Sequence, residues 1–305
     1  MSCDRIPHSP HIYMNPVTIE RLTGDQIPEQ LRELPKPPKE LYLRGKNPFL
    51  NTEQKYITIV GSRNHTRYGA DAIKHIISGL AGHPIAIISG LALGIDAMAH
   101  EEALNKGLLT IAFPGSGLAP SALHPASNRG LAERIIENGG ALVSEFAPEQ
   151  KGALWTFPVR NRLKAGLADM TIIIEAGHDS GTLITANLAL EYNRMVGAVP
   201  GSIFSPTSSG CNTLLRKGAV PITCGNDILR ELGMADFVPF IPDSAKLRDA
   251  TELELKIMEL LREPKSRNDI ARTLDIPISE LSMTIGIMEL KSYIVEEFGE
   301  IRRIV

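Results

Sequence analysis

Six short, uninterrupted apolar runs limit this chain more than any other feature. They are ITIV at 57–60, IAIIS at 85–89, LLTIAF at 108–113, ALVS at 141–144, MTIIIE at 170–175 and VGAV at 196–199. A strand with one face in water alternates apolar and polar residues. These runs do not alternate, which predicts strands covered on both faces, the habit of parallel sheets. Between them lie stretches with helical spacing, such as Ile73, Ile76, Ile77 and Leu80, or Leu131, Ile135 and Ile136. Strand and helix in repeated succession predict a doubly wound parallel α/β sheet over 51–232.

The flanks read differently. Residues 1–50 are broken by prolines, as in LPKPPKELYLRGK, and predict an extended lead-in that packs locally. Residues 233–250 read as a linker. Over 251–305 three helical patterns precede YIVEEFGEIRRIV, which reads as two short strands. Three helices and a β-wing predict a small C-terminal winged helix-turn-helix.

Composition narrows the function. No apolar run approaches the ~18 residues that a membrane span requires, and the first residues lack the basic-then-apolar pattern of a leader. Cys3, Cys211 and Cys224 lie far apart, so neither a disulfide framework nor a zinc site is expected, and a reducing cytoplasm is the natural compartment. The net charge of −3 argues against a general polyanion binder. Any contact with nucleic acid must be a local basic patch.

In a parallel sheet the carboxyl ends of the strands share one edge, where ligands sit. Four loops at that edge combine glycine with serine: Gly61, Ser62 and Arg63; Ser89 and Gly90, followed by Gly94; Gly115, Ser116 and Gly117; Ser180, Gly181 and Thr182. Glycine lets the backbone approach closely, and free N–H groups at helix starts attract anions. Several such loops in a row suit several phosphates. The first loop is not GxGxxG and lacks an acid for a ribose, so no dinucleotide cofactor is expected. Arg63 puts a guanidinium there, whose fork matches phosphate oxygens.

The stretch WTFPVRNRLKAG holds Trp155 and Phe157 directly ahead of Arg160, Arg162 and Lys164. Pro158 suits a helix start. Arg160 and Lys164 then share one face, while Arg162 points elsewhere. An aromatic beside cations at a helix mouth can stack a base and hold its phosphate. Phe157 is the candidate for stacking, and the pattern leaves open whether Trp155 fills the core. Arg129, after the HPASN stretch, adds another cation. For catalysis the chain offers little. His178 and Asp179 lack a third ligand at metal spacing, Glu145 and Glu175 end strands without a nucleophile, and His100 reads as packing.

The ordered motifs VGSRNHTRYG, SGLALGIDAMAH, FPGSGL, HPASN, VSEF, FPVRNRLKAGLA, IIIEA, SGTLITANLALE, VPGS and GCNTLLRKGA resemble the DprA/Smf DNA-processing proteins. The resemblance implies an extended Rossmann-like core that binds single-stranded DNA, protects it and passes it to the RecA recombinase in natural transformation. It also implies a homodimer, and neither cofactor nor catalysis. Carried over by motif, Arg63 and Phe157 contact DNA, and Arg160 and Arg162 belong to the same motif. The lead-in is too short for the N-terminal helical domain common in the family. Leu154 stands where many members have a lysine, and the family's GLD and YP residues read Gly117, Leu118, Ala119 and His124, Pro125.

A competing class is the LOG-type nucleoside-monophosphate phosphoribohydrolases, which the core resembles more distantly. Their PGGxGTxxE loop ends in a catalytic glutamate, and Thr185 stands at that position here. Residues 246–305 carry ten Lys and Arg against twelve Asp and Glu. That balance favours a protein contact over a duplex reader for this module.

Overall fold

The computed structural model describes residues 17–51, 53–234, 250–261, 263–291, 293–297 and 299–303. Most of the expected linker, and Phe298 of the expected wing, lie outside the described residues. The chain divides into two compact units, Met1–Ala235 and Asp236–Val305.

The first unit opens with β1 (Glu20–Thr23), the single helical turn α1 (Glu29–Arg32) and β2 (Glu40–Gly45). It continues with β3 (Lys55–Val60), α2 (Arg67–Ser78), β4 (Ile85–Ser89), α3 (Ile95–Asn105) and β5 (Leu109–Ala112). Next come α4 (Arg129–Glu137), β6 (Ala141–Ser144), α5 (Thr156–Leu167), β7 (Met170–Ile173) and α6 (Thr182–Glu191). The unit closes with β8 (Met195–Ala198), α7 (Ser209–Arg216), β9 (Val220–Pro221) and α8 (Gly225–Glu231). One sheet holds all nine strands in the order β1-β2-β6-β5-β4-β3-β7-β8-β9. From β6 to β9 neighbouring strands are parallel.

Alternation along the strands divides the core between two faces. Ile57 and Ile59 of β3, with Ile85 and Ile87 of β4, pack under Ile73, Ile76 and Ile77 of α2 and Ile95 and Ala99 of α3. Their neighbours Tyr56, Ala86 and Ile88 face the other way, toward Leu163 and Leu167 of α5. Both faces are covered, which is why the runs read as continuously apolar.

The lead-in does more than the sequence suggests. β1 pairs antiparallel with β2, and β2 pairs antiparallel with β6. Leu22, Leu31, Leu41 and Leu43 are buried in the same cluster as Leu163. Residue 50 is therefore no structural boundary. The prolines at 35, 37 and 38 hid the alternating strand ELYLRG behind them.

The second unit holds α9 (Glu252–Leu260), β10 (Lys265–Ser266), α10 (Arg267–Leu274), α11 (Ile278–Leu290), β11 (Ile294–Glu297) and β12 (Glu300–Arg303). Its strands form an antiparallel sheet in the order β10-β12-β11. Ile257, Ile270, Leu281, Ile285 and Ile301 form its core. No described helix is long and apolar enough to cross a membrane.

Candidate nucleic-acid interface

The strand order creates the site. From β3 the chain lays down β4, β5 and β6 on one side, then returns to place β7 and β8 on the other. Where the direction reverses, the loops leaving β3 and β7 part, and an open α/β sheet takes its ligand at that crevice. A cleft of about 390 Å³ lies there. Gly61, Ser62 and Arg63 line it from the loop after β3, and Asp96 from the first turn of α3. Phe157, Arg160, Asn161 and Lys164 of α5 complete it together with Ser180, Gly181, Thr182 and Thr185 at the start of α6.

The rim joins a cation to an aromatic ring. Arg63 is exposed, and its guanidinium carbon lies 5.7 Å from the centroid of the half-buried Phe157 ring. That separation is within cation–π range. His124 approaches the same ring, with centroids 5.7 Å apart. The ring rests on Gly115, where any Cβ would overlap it. Here glycine is required because an aromatic side chain lies against the backbone. Thr156 fixes the start of α5 below the ring by donating to the Gly115 carbonyl at 2.6 Å. Pro158 sits in the third position of this helix rather than the first, still within the turn that has no donor to lose.

The floor is a buried charge cluster. Arg160, only 6% exposed, donates to the carbonyls of Gly90 and Phe113. Gly90 leaves room for the guanidinium and donates its own N–H to Asp96 Oδ2 at 3.0 Å. The same carboxylate lies 4.0 Å from Arg160 and 3.8 Å from Lys164 Nζ. Lys164 is 2% exposed. Burial pushes its ammonium down to about 7; Arg160 adds to the shift and Asp96 opposes it. Burial also lowers Arg160, against the pull of Asp96. His100 lies behind them, fully buried and held down to about 4, chiefly by burial. Thr110 donates its hydroxyl proton to the Ile87 carbonyl, so it must accept from His100 Nδ1 at 2.7 Å.

The cleft thus gathers Gly61, Ser62, Arg63, Phe157, Arg160, Lys164 and Ser180 from the residues singled out in the sequence, with Gly181 and Thr182 of the same loop as Ser180. Gly90, Ser116, Arg162 and Arg129 lie outside its lining. Gly90 is buried beneath Arg160 and Asp96 and turns both backbone groups inward. Ser116 is fully buried, its hydroxyl donating to the Gly117 carbonyl and accepting from the His124 N–H. Arg162 is tied to the Glu145 carboxylate and the Lys36 carbonyl. Arg129 is exposed outside the cleft and donates to the carbonyls of Leu123 and Ser121. Arg160 and Lys164 do share a helical face, but it is the inward one. The open question about Trp155 is also answered: the residue is 59% exposed, and its ring packs edge-on against Phe146.

Sequence reasoning missed Asp96 and Asn161 as parts of the cleft. For Asp96 the usable signal was an acid in the first turn of a helix at this edge. Glu175 is also explained. It accepts from the Thr66 N–H and hydroxyl at the entry to α2, which makes it a structural cap.

Comparison with known proteins gives a consistent picture. A family model described as DNA recombination-mediator protein A matches residues 19–233. Protein Smf of Escherichia coli is 34% identical over 88% of this chain and 72% of its own length. DNA processing protein DprA of Streptococcus pneumoniae is 39% identical over 69% of this chain and 72% of its own. Among solved structures, DprA from Streptococcus pneumoniae matches with a TM-score of 0.65 at 36% identity, over 70% of this chain and 74% of that one. DNA processing protein A from Helicobacter pylori, described as having a unique single-stranded DNA binding mode, matches with a TM-score of 0.63 at 31% identity. That match covers 71% of this chain and 96% of the other.

Proposed function

The chain belongs to the DNA recombination-mediator protein A family, and on that premise we propose that its first unit binds single-stranded DNA across the cleft between β3 and β7. The observation that carries this reading is Arg63 poised over the half-exposed ring of Phe157 at the cleft mouth. A flexible strand can lay a base on the ring and a phosphate on the guanidinium together. A rigid duplex holds its bases in the stack and cannot. Stacking contributes about 1–3 kcal/mol per base and tolerates any sequence.

The strand is protected while bound and is passed to a RecA-type recombinase, with the protein acting as a homodimer and without catalysis. The second unit serves a protein contact. Its α11 exposes Met283, Ile287 and Leu290 beside Glu280 and Glu289, a face that lacks the cations duplex phosphates need. The phosphoribohydrolase reading is weaker, because Thr185 is buried where that chemistry needs a carboxylate.

The test is a salt titration of oligo-dT and duplex binding by fluorescence anisotropy. The expected result is strong oligo-dT binding and weak duplex binding, with oligo-dT affinity falling by roughly 0.7 log units per log unit of salt for each phosphate neutralised. Equal affinity for both forms, or ribose release from a nucleoside monophosphate, overturns the proposal.

A further inference from the structure

Two cations share one carboxylate on the cleft floor. Arg160 and Lys164 both lie about 4 Å from Asp96 Oδ2, at 4.0 and 3.8 Å. Arg160 is already spent on two carbonyls. The Lys164–Asp96 distance is longer than a hydrogen bond, so the pairing is loose. With all three groups ionised, the floor carries one buried positive charge in excess. Among the described residues no further acid lines the cleft. The other charged or titratable groups around Lys164 are Arg63 on the loop after β3 and His100 on α3, and His100 is neutral. A buried charge without a counterion is unstable, and a lysine relieves it by losing its proton. An anion in the cleft reverses that preference.

Building on the single-strand reading, we propose that the floor is a subsite for one backbone phosphate and that filling it draws a proton onto Lys164. Binding and protonation are then linked. The burial that lowers the ammonium to about 7 in the free protein is offset by the phosphate, so the value rises on binding. A group whose value rises on binding contributes affinity in full below its free value. That contribution disappears as pH rises through the bound value. An ordinary lysine stays protonated across about pH 6 to 8.5, and neither a phosphodiester nor thymine titrates there.

The experiment is calorimetry of oligo-dT binding to the full chain at constant ionic strength, in buffers of different ionisation enthalpy. At pH 8 the parent takes up between about half a proton and one proton per site, and above pH 7 its affinity falls by up to about tenfold per pH unit. Lys164→Met, an apolar near-isostere, takes up none and shows a flat profile. Lys164→Arg keeps its charge at every pH, so whatever affinity it retains shows a flat pH profile with no proton uptake. Oligo-dT binding without proton uptake overturns the linkage and leaves the single-strand reading intact. Uptake that persists in Lys164→Met comes from a group other than Lys164, and also overturns it. Absence of oligo-dT binding at every pH overturns both readings.

Discussion

The Arg160 guanidinium donates to the Gly90 carbonyl, 70 residues away in sequence, and thereby ties α5 to the end of β4. Its second bond, to the Phe113 carbonyl, ties in the end of β5. A side chain that joins three elements while only 6% exposed holds the cleft together before it touches any ligand.

Arg160→Ala should therefore fail as a fold before it fails as a binder. Removing the guanidinium leaves the buried Gly90 and Phe113 carbonyls without their donor, at a cost of about 1–3 kcal/mol each. Urea unfolding measures this. A midpoint equal to the parent's would show that the carbonyl contacts contribute nothing.

Arg63→Ala should do the opposite. Its side chain is exposed, so stability should stay within about 0.5 kcal/mol of the parent. Oligo-dT affinity should fall, and the salt slope should shrink by about 0.7 for the lost phosphate contact. An unchanged slope in anisotropy titrations would remove Arg63 from the phosphate path.

Phe157→Ala should weaken oligo-dT binding by about 1–3 kcal/mol without changing the salt slope, because stacking is not ionic. Gly115→Ala should mimic it. The added Cβ overlaps the Phe157 ring and must displace it. If Gly115→Ala bound like the parent, the placement of the ring would not matter to affinity.

In the second unit, Lys291 Nζ donates to both oxygens of Glu254, at 2.8 and 2.9 Å. Burial pushes this carboxyl up, but hydrogen bonds from Lys291 and Thr251 outweigh it and hold the group below its usual range. A depressed carboxyl stabilises the fold fully above its unfolded value, about 4.3. The benefit disappears as pH falls through the folded value. Glu254→Gln should thus lower the melting temperature of this unit at neutral pH and match the parent in strong acid. A constant difference across pH would mean the charge is not what stabilises.

Much of the cleft's rim was legible from residue types. Arg63 follows a strand run directly, so its place at the sheet edge needed only the strand assignment. Phe157 precedes a helical pattern and lands beside it for the same reason. The floor was not legible. The spacing of Arg160 and Lys164 put them on one helical face but could not say which one. That depended on Gly90 and Phe113, whose carbonyls arrive from β4 and β5. Likewise the glycines at this edge read as anion-binding backbone. Gly90 and Gly115 are instead where the chain's own Arg160 and Phe157 need room.

By itself the sequence determined the layered architecture and which loops meet at the carboxyl edge, because apolar periodicity is a local property that burial enforces strand by strand. Only the tertiary structure decided which cations face solvent and which face one another. Charge burial depends on partners brought from distant strands, and no spacing along the chain records them.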